Sequence, residues 1–230
     1  MKRLVVLSGA GVSAESGIKT FRDSDGLWEN HKVTDVADIG GWYRNPSLVL
    51  DFYNERRRQL EQAQPNAAHR IIAELERYFD VTVVTQNVDN LHERAGSGRI
   101  IHLHGELTKV RPADQESRGI EDIGYRDIHI GDCDARGVQL RPHIVWFGEA
   151  VPMLSRAAEA VSRADILLII GTSLQVYPAA GLFRYAQPGI PVFLIDPHPI
   201  RLDCDNFRQL VMPATEGMAE LKQILLDEYL

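Results

Sequence analysis

Four uninterrupted apolar runs punctuate the chain, at 4–7, 81–85, 166–170 and 192–195. Continuous rather than alternating apolar character marks strands covered on both faces, so these runs predict a parallel sheet between layers of helices. A shorter run, Ile144-Val145-Trp146-Phe147, predicts an edge or binding strand. Between the runs, apolar positions recur at helical spacing. Residues 46–62 open with Pro46, suited to a first turn, and carry Leu48, Val49, Phe52 and Leu60 along one side. Residues 66–78 place Ile71, Ile72, Leu75 and the following Phe79 on one face, and 154–163, 179–186 and 216–229 complete the set. Alternating strands and helices predict βαβ units, hence an α/β fold with a doubly wound sheet. Two stretches break the rhythm. Residues 21–43, rich in Gly, Asp and polar side chains, read as a long functional loop with at most a short helix. Residues 106–141 carry scattered charge and little periodicity, and read as an inserted small module.

Composition narrows the function classes. A length of 230 residues suits one large or two small domains, and 44% hydrophobic with 25% charged residues is ordinary for a soluble protein. A net charge of -7 argues against a duplex nucleic-acid binder and is compatible with a basic protein or peptide partner. Two cysteines, Cys133 and Cys204, make no disulfide framework, so a reducing cytoplasm is the expected compartment. The apolar start at 4–7 is too short for a secretion signal, Gly9-Ala10-Gly11 interrupts it, and no stretch approaches a membrane span.

The chemistry gathers at strand ends, where open α/β sheets leave a crevice. Gln86-Asn87-Val88-Asp89 follows the run at 81–85, and His102-Leu103-His104-Gly105 comes soon after. Two amides, a carboxylate and an imidazole there would make a proton-handling site; the plainer alternative is that Asn87 and Asp89 only shape a turn. Gly9-Ala10-Gly11-Val12-Ser13-Ala14 approximates G-x-G-x-x-G, with Ala14 in the third position, and would let a pyrophosphate approach the backbone; a ligand-free tight turn is the alternative. Gly171-Thr172-Ser173 ends another strand, as a helix cap or a phosphate or ribose contact. An imidazole suits a general base, and a zinc pair of His102 with His104 lacks further ligands. Tyr53 and Arg56, three apart on one helix, could bind a carboxylate; the alternative is that Arg56-Arg57-Arg58 is a solvated face.

Taken in order, Gly9-Ala10-Gly11-Val12-Ser13, Ser16-Gly17-Ile18, Thr20-Phe21-Arg22, Gly26-Leu27-Trp28, Thr85 to His92, Ala95-Gly96, His104-Gly105, Arg141-Pro142, Val145-Trp146-Phe147-Gly148-Glu149 and Gly171-Thr172-Ser173 resemble the sirtuins, the NAD-dependent protein deacylases. The bacterial members that remove acidic acyl groups look most similar. The resemblance implies one catalytic unit over 1–230. Its Rossmann-type domain would span about 1–20, 80–105 and 142–230, with small-domain insertions at about 21–79 and 106–141. It implies that Gly9, Ala10, Gly11, Ser13 and Ala14 cradle the NAD pyrophosphate, and that Ile18, Phe21 and Arg22 belong to a mobile cofactor loop. Gln86, Asn87 and Asp89 would line the nicotinamide and ribose pocket, Gly171, Thr172, Ser173 and Asp196 the adenosine side. His104 would be the catalytic base, with Asn87 and Asp89 in the catalytic set. Family chemistry joins the acyl oxygen to the ribose as nicotinamide leaves, and yields free lysine and O-acyl-ADP-ribose. Val145, Trp146, Phe147, Gly148 and Glu149 would bind the acyl-lysine stem or pair with the peptide as an added strand. Tyr53 and Arg56 match the family's desuccinylase and demalonylase signature, with Ala37 where a small residue widens the acyl pocket.

The chain departs from the family in its small module. Sirtuins usually bind zinc there on two C-x-x-C pairs, whereas 106–141 holds only Cys133, with Pro112, Gln115 and Arg136 about where partners would stand. No zinc is expected, and the module should pack around Ile120, Ile123, Tyr125, Ile128 and Ile130. Asp196 stands where the family often has Asn, which should spare NAD and disfavour NADP. Lysine deacylation of proteins, on acetyl and on succinyl or malonyl groups, is the leading expectation, by a monomer that touches neither nucleic acid nor membrane. Mono-ADP-ribosyl transfer and a non-catalytic NAD-sensing module are the alternatives.

Overall fold

The computed structural model describes residues 1–19, 27–28, 30–114, 119–204 and 206–230. In chain order the elements are β1 (Arg3–Ser8), α1 (Gly11–Ala14), β2 (Leu27–Trp28), β3 (His31–Lys32), α2 (Val33–Val36), α3 (Ile39–Arg44), α4 (Pro46–Gln62), α5 (Ala67–Glu74) and β4 (Asp80–Thr85). There follow α6 (Leu91–Ala95), β5 (Ile100–His102), β6 (Gly105–Pro112), β7 (Glu121–Asp122), β8 (Leu140–Ile144), α7 (Leu154–Ser162) and β9 (Ile166–Ile170). A 3-10 helix (Ala179–Tyr185), β10 (Val192–Ile195), β11 (Phe207–Leu210) and α8 (Ala214–Tyr229) close the chain.

Six strands form one parallel sheet in the order β11-β10-β9-β1-β4-β5. The four apolar runs are its centre, and both faces are covered. On one face Leu4, Val6, Val83, Ile166, Leu168 and Ile195 pack with α5 and α8. On the other Val5, Leu7, Val84, Leu167, Ile169 and Leu194 pack with α7 and the 3-10 helix. Pairing of alternate residues with opposite layers is why these strands read as continuous apolar runs. The chain moves from β1 to β4 on one side and returns to β9 on the other, so β1 and β9 flank the switch point where such sheets bind ligands.

The second layer is smaller. β6 pairs antiparallel with β7 and β8, and this sheet, α2, α3 and α4 enclose a separate core of Val36, Trp42, Val49, Phe52, Tyr53, Leu107, Val110, Ile123, Ile128, Ile144 and Trp146. Asn45 caps α4 by accepting from the Leu48 amide at 3.1 Å, just before Pro46.

Several expectations shift. β5 and β11, three and four residues long, were invisible in the pattern because short edge strands need no continuous apolar run. The helix expected over 66–78 ends at Glu74 and tightens into a 3-10 turn at Leu75–Arg77. Its Ala68 and Ile72 pack under the large sheet with Leu4 and Val6. Within 21–43 the described residues hold a two-residue hairpin and the helices α2 and α3. In the module, Ile123 and Ile128 are buried and Tyr125 partly so, but Ile120 and Ile130 are exposed. None of the described helices is long and apolar enough to cross a membrane.

Candidate functional site

Register assembles the site. Ile195, Ile170, Ser8, Thr85 and His102 stand side by side across the parallel sheet. The residues just beyond them, Asp196, Gly171, Gly9, Gln86 and Leu103-His104, therefore share one carboxyl edge. The glycines there are required by contact between backbones. A Cβ on Gly171 would stand 2.2 Å from the Val12 nitrogen, on a backbone with φ of +62°, and one on Gly11 2.7 Å from Gly171 Cα. The Gly9 and Gly11 amides donate to the Ile170 and Gly171 carbonyls, and those of Val12 and Ser13 to Gly9 and Ala10. Among the described residues, nothing accepts from the Ala10 amide. The turn is thus tight for its own reasons and still offers one amide. α1 is only four residues long, with Ala14 exposed at its end.

Thr172 behaves as a turn residue and as part of the site, since its hydroxyl accepts from the Leu174 amide (3.2 Å) and the Gln86 side-chain amide (3.2 Å). Ser173 beside it is half-buried. Asp196 is buried and accepts from the His198 amide at 3.0 Å. Ile18 packs against the small core; Phe21 and Arg22 lie outside the described residues.

Two imidazoles face the end of β4. His104 Nδ1 lies 3.0 Å from the Gln86 carbonyl and His102 Nδ1 3.3 Å from the Asn87 carbonyl. A carbonyl only accepts, so each Nδ1 carries a proton. His104 has no second partner among the described contacts, and burial, only partly offset by the Gln86 bond, lowers its pKa. Near neutral pH its Nε2 is a bare lone pair. His102 Nε2 meets the Glu93 carboxylate at 2.6 Å; burial alone would lower its pKa, but the Glu93 bond and charge outweigh it and the net shift is upward. Two residues apart, one imidazole is pushed toward its neutral form and the other toward its charged form. The two Nε2 atoms thus differ in partner: Glu93 for His102 and none among the described residues for His104.

Beneath them runs a buried polar chain. Ser13 Oγ donates to Asp89 (2.9 Å), receives the Asn87 side-chain amide (3.2 Å) and lies 3.4 Å from His69 Nε2. Asp89 also accepts from the Leu91 amide, so it shapes the turn. Burial raises the Asp89 carboxyl pKa against the pull of those two donors. Ser13 is fully buried, and its hydroxyl supports Asp89 and Asn87 rather than reaching for a phosphate. His69 and His92, 4.9 Å apart, are held neutral by burial, with pKa values lowered to about 4 and about 3. The sequence reading passed over His69; the signal available was a histidine beside Ala68 and Ile72 on an apolar helix face.

The opposite wall comes from α4 and residues 145–149. These leave the β8 strand, with the Val145 amide donating to the His104 carbonyl and the Phe147 amide to that of Ala37. Phe147 returns its carbonyl to the Ile39 amide, so most of the run's backbone is used internally and strand addition along its whole length is excluded. Side chains alternate as in an extended chain. Phe147 is 43% exposed and Val145 half-buried, while Trp146 is 2% exposed and points inward. Trp146 is therefore not a stacking partner for a lysine stem. Glu149 is no substrate ligand either: its carboxylate receives Arg141 through two bonds (2.8 and 2.9 Å) and the Trp146 amide (2.9 Å). The Arg141 guanidinium lies 3.5 Å from the Trp146 ring centre. Gly148, with φ of +86°, permits the sharp return.

The three arginines of α4 have three environments, which excludes a uniformly solvated face. Arg58 is exposed and pairs with Asp127 and Glu55. Arg57 is fully buried, bonded to the Asn54 side chain and the Leu107 carbonyl. Arg56 lies over the Phe52 ring at 5.1 Å with its Nε and Nη1 shielded from solvent, on the side of Tyr53.

Around Cys133 the donor set does not fit a closed metal site. Cys133 is exposed and Gln115 lies outside the described residues. Among the described residues the one group of three converging metal-ligating side chains is Glu93, His102 and Glu106, outside the module. Polar bonds fasten the tip. Asp134 accepts from the Arg136 and Val138 amides, Arg136 pairs with Asp114, and Gln139 bonds Gly131, His129, Asp132 and Leu140. Asn54 on α4 bonds both the amide and the carbonyl of Ile128.

Residues 9–178 match the Sir2 family model. A curated NAD-dependent protein deacylase of Bacteroides thetaiotaomicron is 53% identical over 98% of this chain and 99% of its own length. One of Helicobacter pylori is 58% identical over 86% and 85%. A Sir2 homologue–NAD complex superposes with a TM-score of 0.88 at 40% identity, over 98% of this chain and 90% of that one. A complex of Sir2 with a p53 peptide and NAD+ superposes with 0.77 at 30% identity, over 96% and 92%. A base with a bare Nε2 beside a buried amide–carboxylate pair, at the switch point of a sheet with this match along its length, places the chain in the Sir2 family.

Proposed function

We propose that this NAD-dependent protein deacylase removes succinyl and malonyl groups from lysine as well as acetyl, with His104 as its base. The observation that carries the acyl preference is the pair on α4. A phenol and a guanidinium share one helix face, and Arg56 is partly withdrawn from solvent rather than spread on the surface. A carboxylate is the ligand class that both groups bind, Arg through two bonds.

The residues fit NAD. The glycine turn lets a diphosphate approach, the Ala10 amide can donate to it, and Thr172, Ser173 and the Asp196 carboxylate lie where adenosine hydroxyls would be received. Asp196 disfavours a 2′-phosphate by charge. When bound, NAD supplies an anomeric carbon from which nicotinamide can leave. Gln86, Asn87 and Asp89 line that side, and the Ser13 hydroxyl fixes the last two. His104 Nε2 takes the ribose hydroxyl proton, because Nδ1 is already spent on Gln86. Half-buried Val145 and exposed Phe147 form the acyl-lysine wall and help exclude water from the reacting carbon. The small module holds itself without metal, and a monomer in the cytoplasm is the working state.

The test uses one peptide carrying acetyl-, succinyl- or malonyl-lysine, with NAD and mass spectrometric detection. Arg56→Met should cut desuccinylation about a hundredfold and deacetylation within a few-fold. Equal losses on both would sink the acidic-acyl assignment.

A further inference from the structure

Tyr53 is 1% exposed, and its hydroxyl receives the indole N–H of Trp146 at 2.9 Å. A phenol oxygen that accepts this bond still has its own proton to give, and no acceptor for it occurs among the described residues. Buried donors are seldom left idle. Trp146 is itself immobilised: Arg141 lies against its face, Trp42 packs at 5.6 Å, and Glu149 holds its backbone amide. Its N–H therefore points at Tyr53 in one direction only.

We propose that Trp146 is a positioning residue for acyl specificity: its indole N–H, clamped by Arg141 and Glu149, turns the Tyr53 O–H proton toward the carboxylate of an acidic acyl group beside Arg56. This rests on the acidic-acyl reading and adds a reason for it. An indole donor occupies the phenol's acceptor side and leaves donation as its remaining function. The bond also polarises the phenol, which strengthens its donation to an anion. An acetyl group has no acceptor there, so the indole N–H matters to succinyl and malonyl substrates and not to acetyl.

The measurement is steady-state kcat and KM for acetyl- and succinyl-lysine forms of one peptide, in wild type, Trp146→Phe, Tyr53→Phe and the double variant. Trp146→Phe should raise KM for the succinyl peptide about tenfold, chiefly in KM rather than kcat, and lower the succinyl-to-acetyl ratio of kcat/KM by the same factor. The double variant should lose no more selectivity than Tyr53→Phe alone, because Trp146 acts through that hydroxyl. Equal losses on both substrates, or a double variant equal to the product of the singles, would overturn the role of Trp146 and leave the acidic-acyl reading in place. A wild type inert toward succinyl-lysine would overturn both. If Trp146→Phe does not fold, 3-benzothienylalanine at position 146 removes the N–H at equal volume, with the same outcomes deciding.

Discussion

His102 and His104 carry the same side chain, two residues apart, and are pushed toward opposite charge states. His102 bonds a carboxylate at one nitrogen and a carbonyl at the other, which only the imidazolium can do. His104 bonds a carbonyl alone and is otherwise desolvated, so its folded pKa lies below the ordinary value of about 6.5. A base with lowered pKa stays deprotonated further into acid, so the deacylation rate should hold from pH 8 down past 6.5 and fall only below that. Rate profiles between pH 5 and 8 check this; a break above 6.5 contradicts it. His104→Ala should cost roughly 10²–10⁴ in rate, with NAD binding retained. The motif singled out His104 as the candidate base. It did not reveal which nitrogen is free, because that depends on the Gln86 carbonyl eighteen residues away in the chain.

At the scale of elements, α4 was legible to the residue, since Asn45, Pro46 and a 3.6-residue apolar repeat are all local signals. Its buried polar side is another matter. Arg57 and Asn54 read as surface residues, yet they grip Leu107 and Ile128 from the module that follows fifty to seventy-four residues later. The module tip has the same character: Asp134, Arg136 and Gln139 look like loop residues and prove to be its fastening. Asp134→Ala removes the acceptor of two amides and one guanidinium bond, and should loosen the module tip. Hydrogen exchange over 119–140 should report it, while a chelator should leave exchange of the parent protein unchanged and metal analysis should find no bound zinc. One zinc per chain would contradict the metal-free fastening.

For the molecule as a whole, what matters is that two turns distant in sequence share one space. Gly9-Ala10-Gly11 and Gly171-Thr172 touch backbone to backbone at the switch point, with Gly171 in the left-handed region. Gly171→Ala would force a methyl group to within 2.2 Å of the Val12 nitrogen, and should cost several kcal/mol of stability together with NAD affinity. Thermal unfolding with and without NAD measures both losses, and a wild-type response to NAD would contradict the shared turn. The chain order of apolar runs and helical repeats, read alone, determined the class of sheet, its four central strands and the strand ends that bear the site. Those are local and periodic properties, so burial on both faces writes them into composition. Tertiary structure alone decided the row of register that aligns Asp196, Gly171, Gly9 and Gln86, the protonation of the two histidines, and the inward turn of Trp146 onto Tyr53. Each of these depends on a partner far away in the chain, and hydrogen-bond geometry between such partners leaves no periodic trace in the sequence.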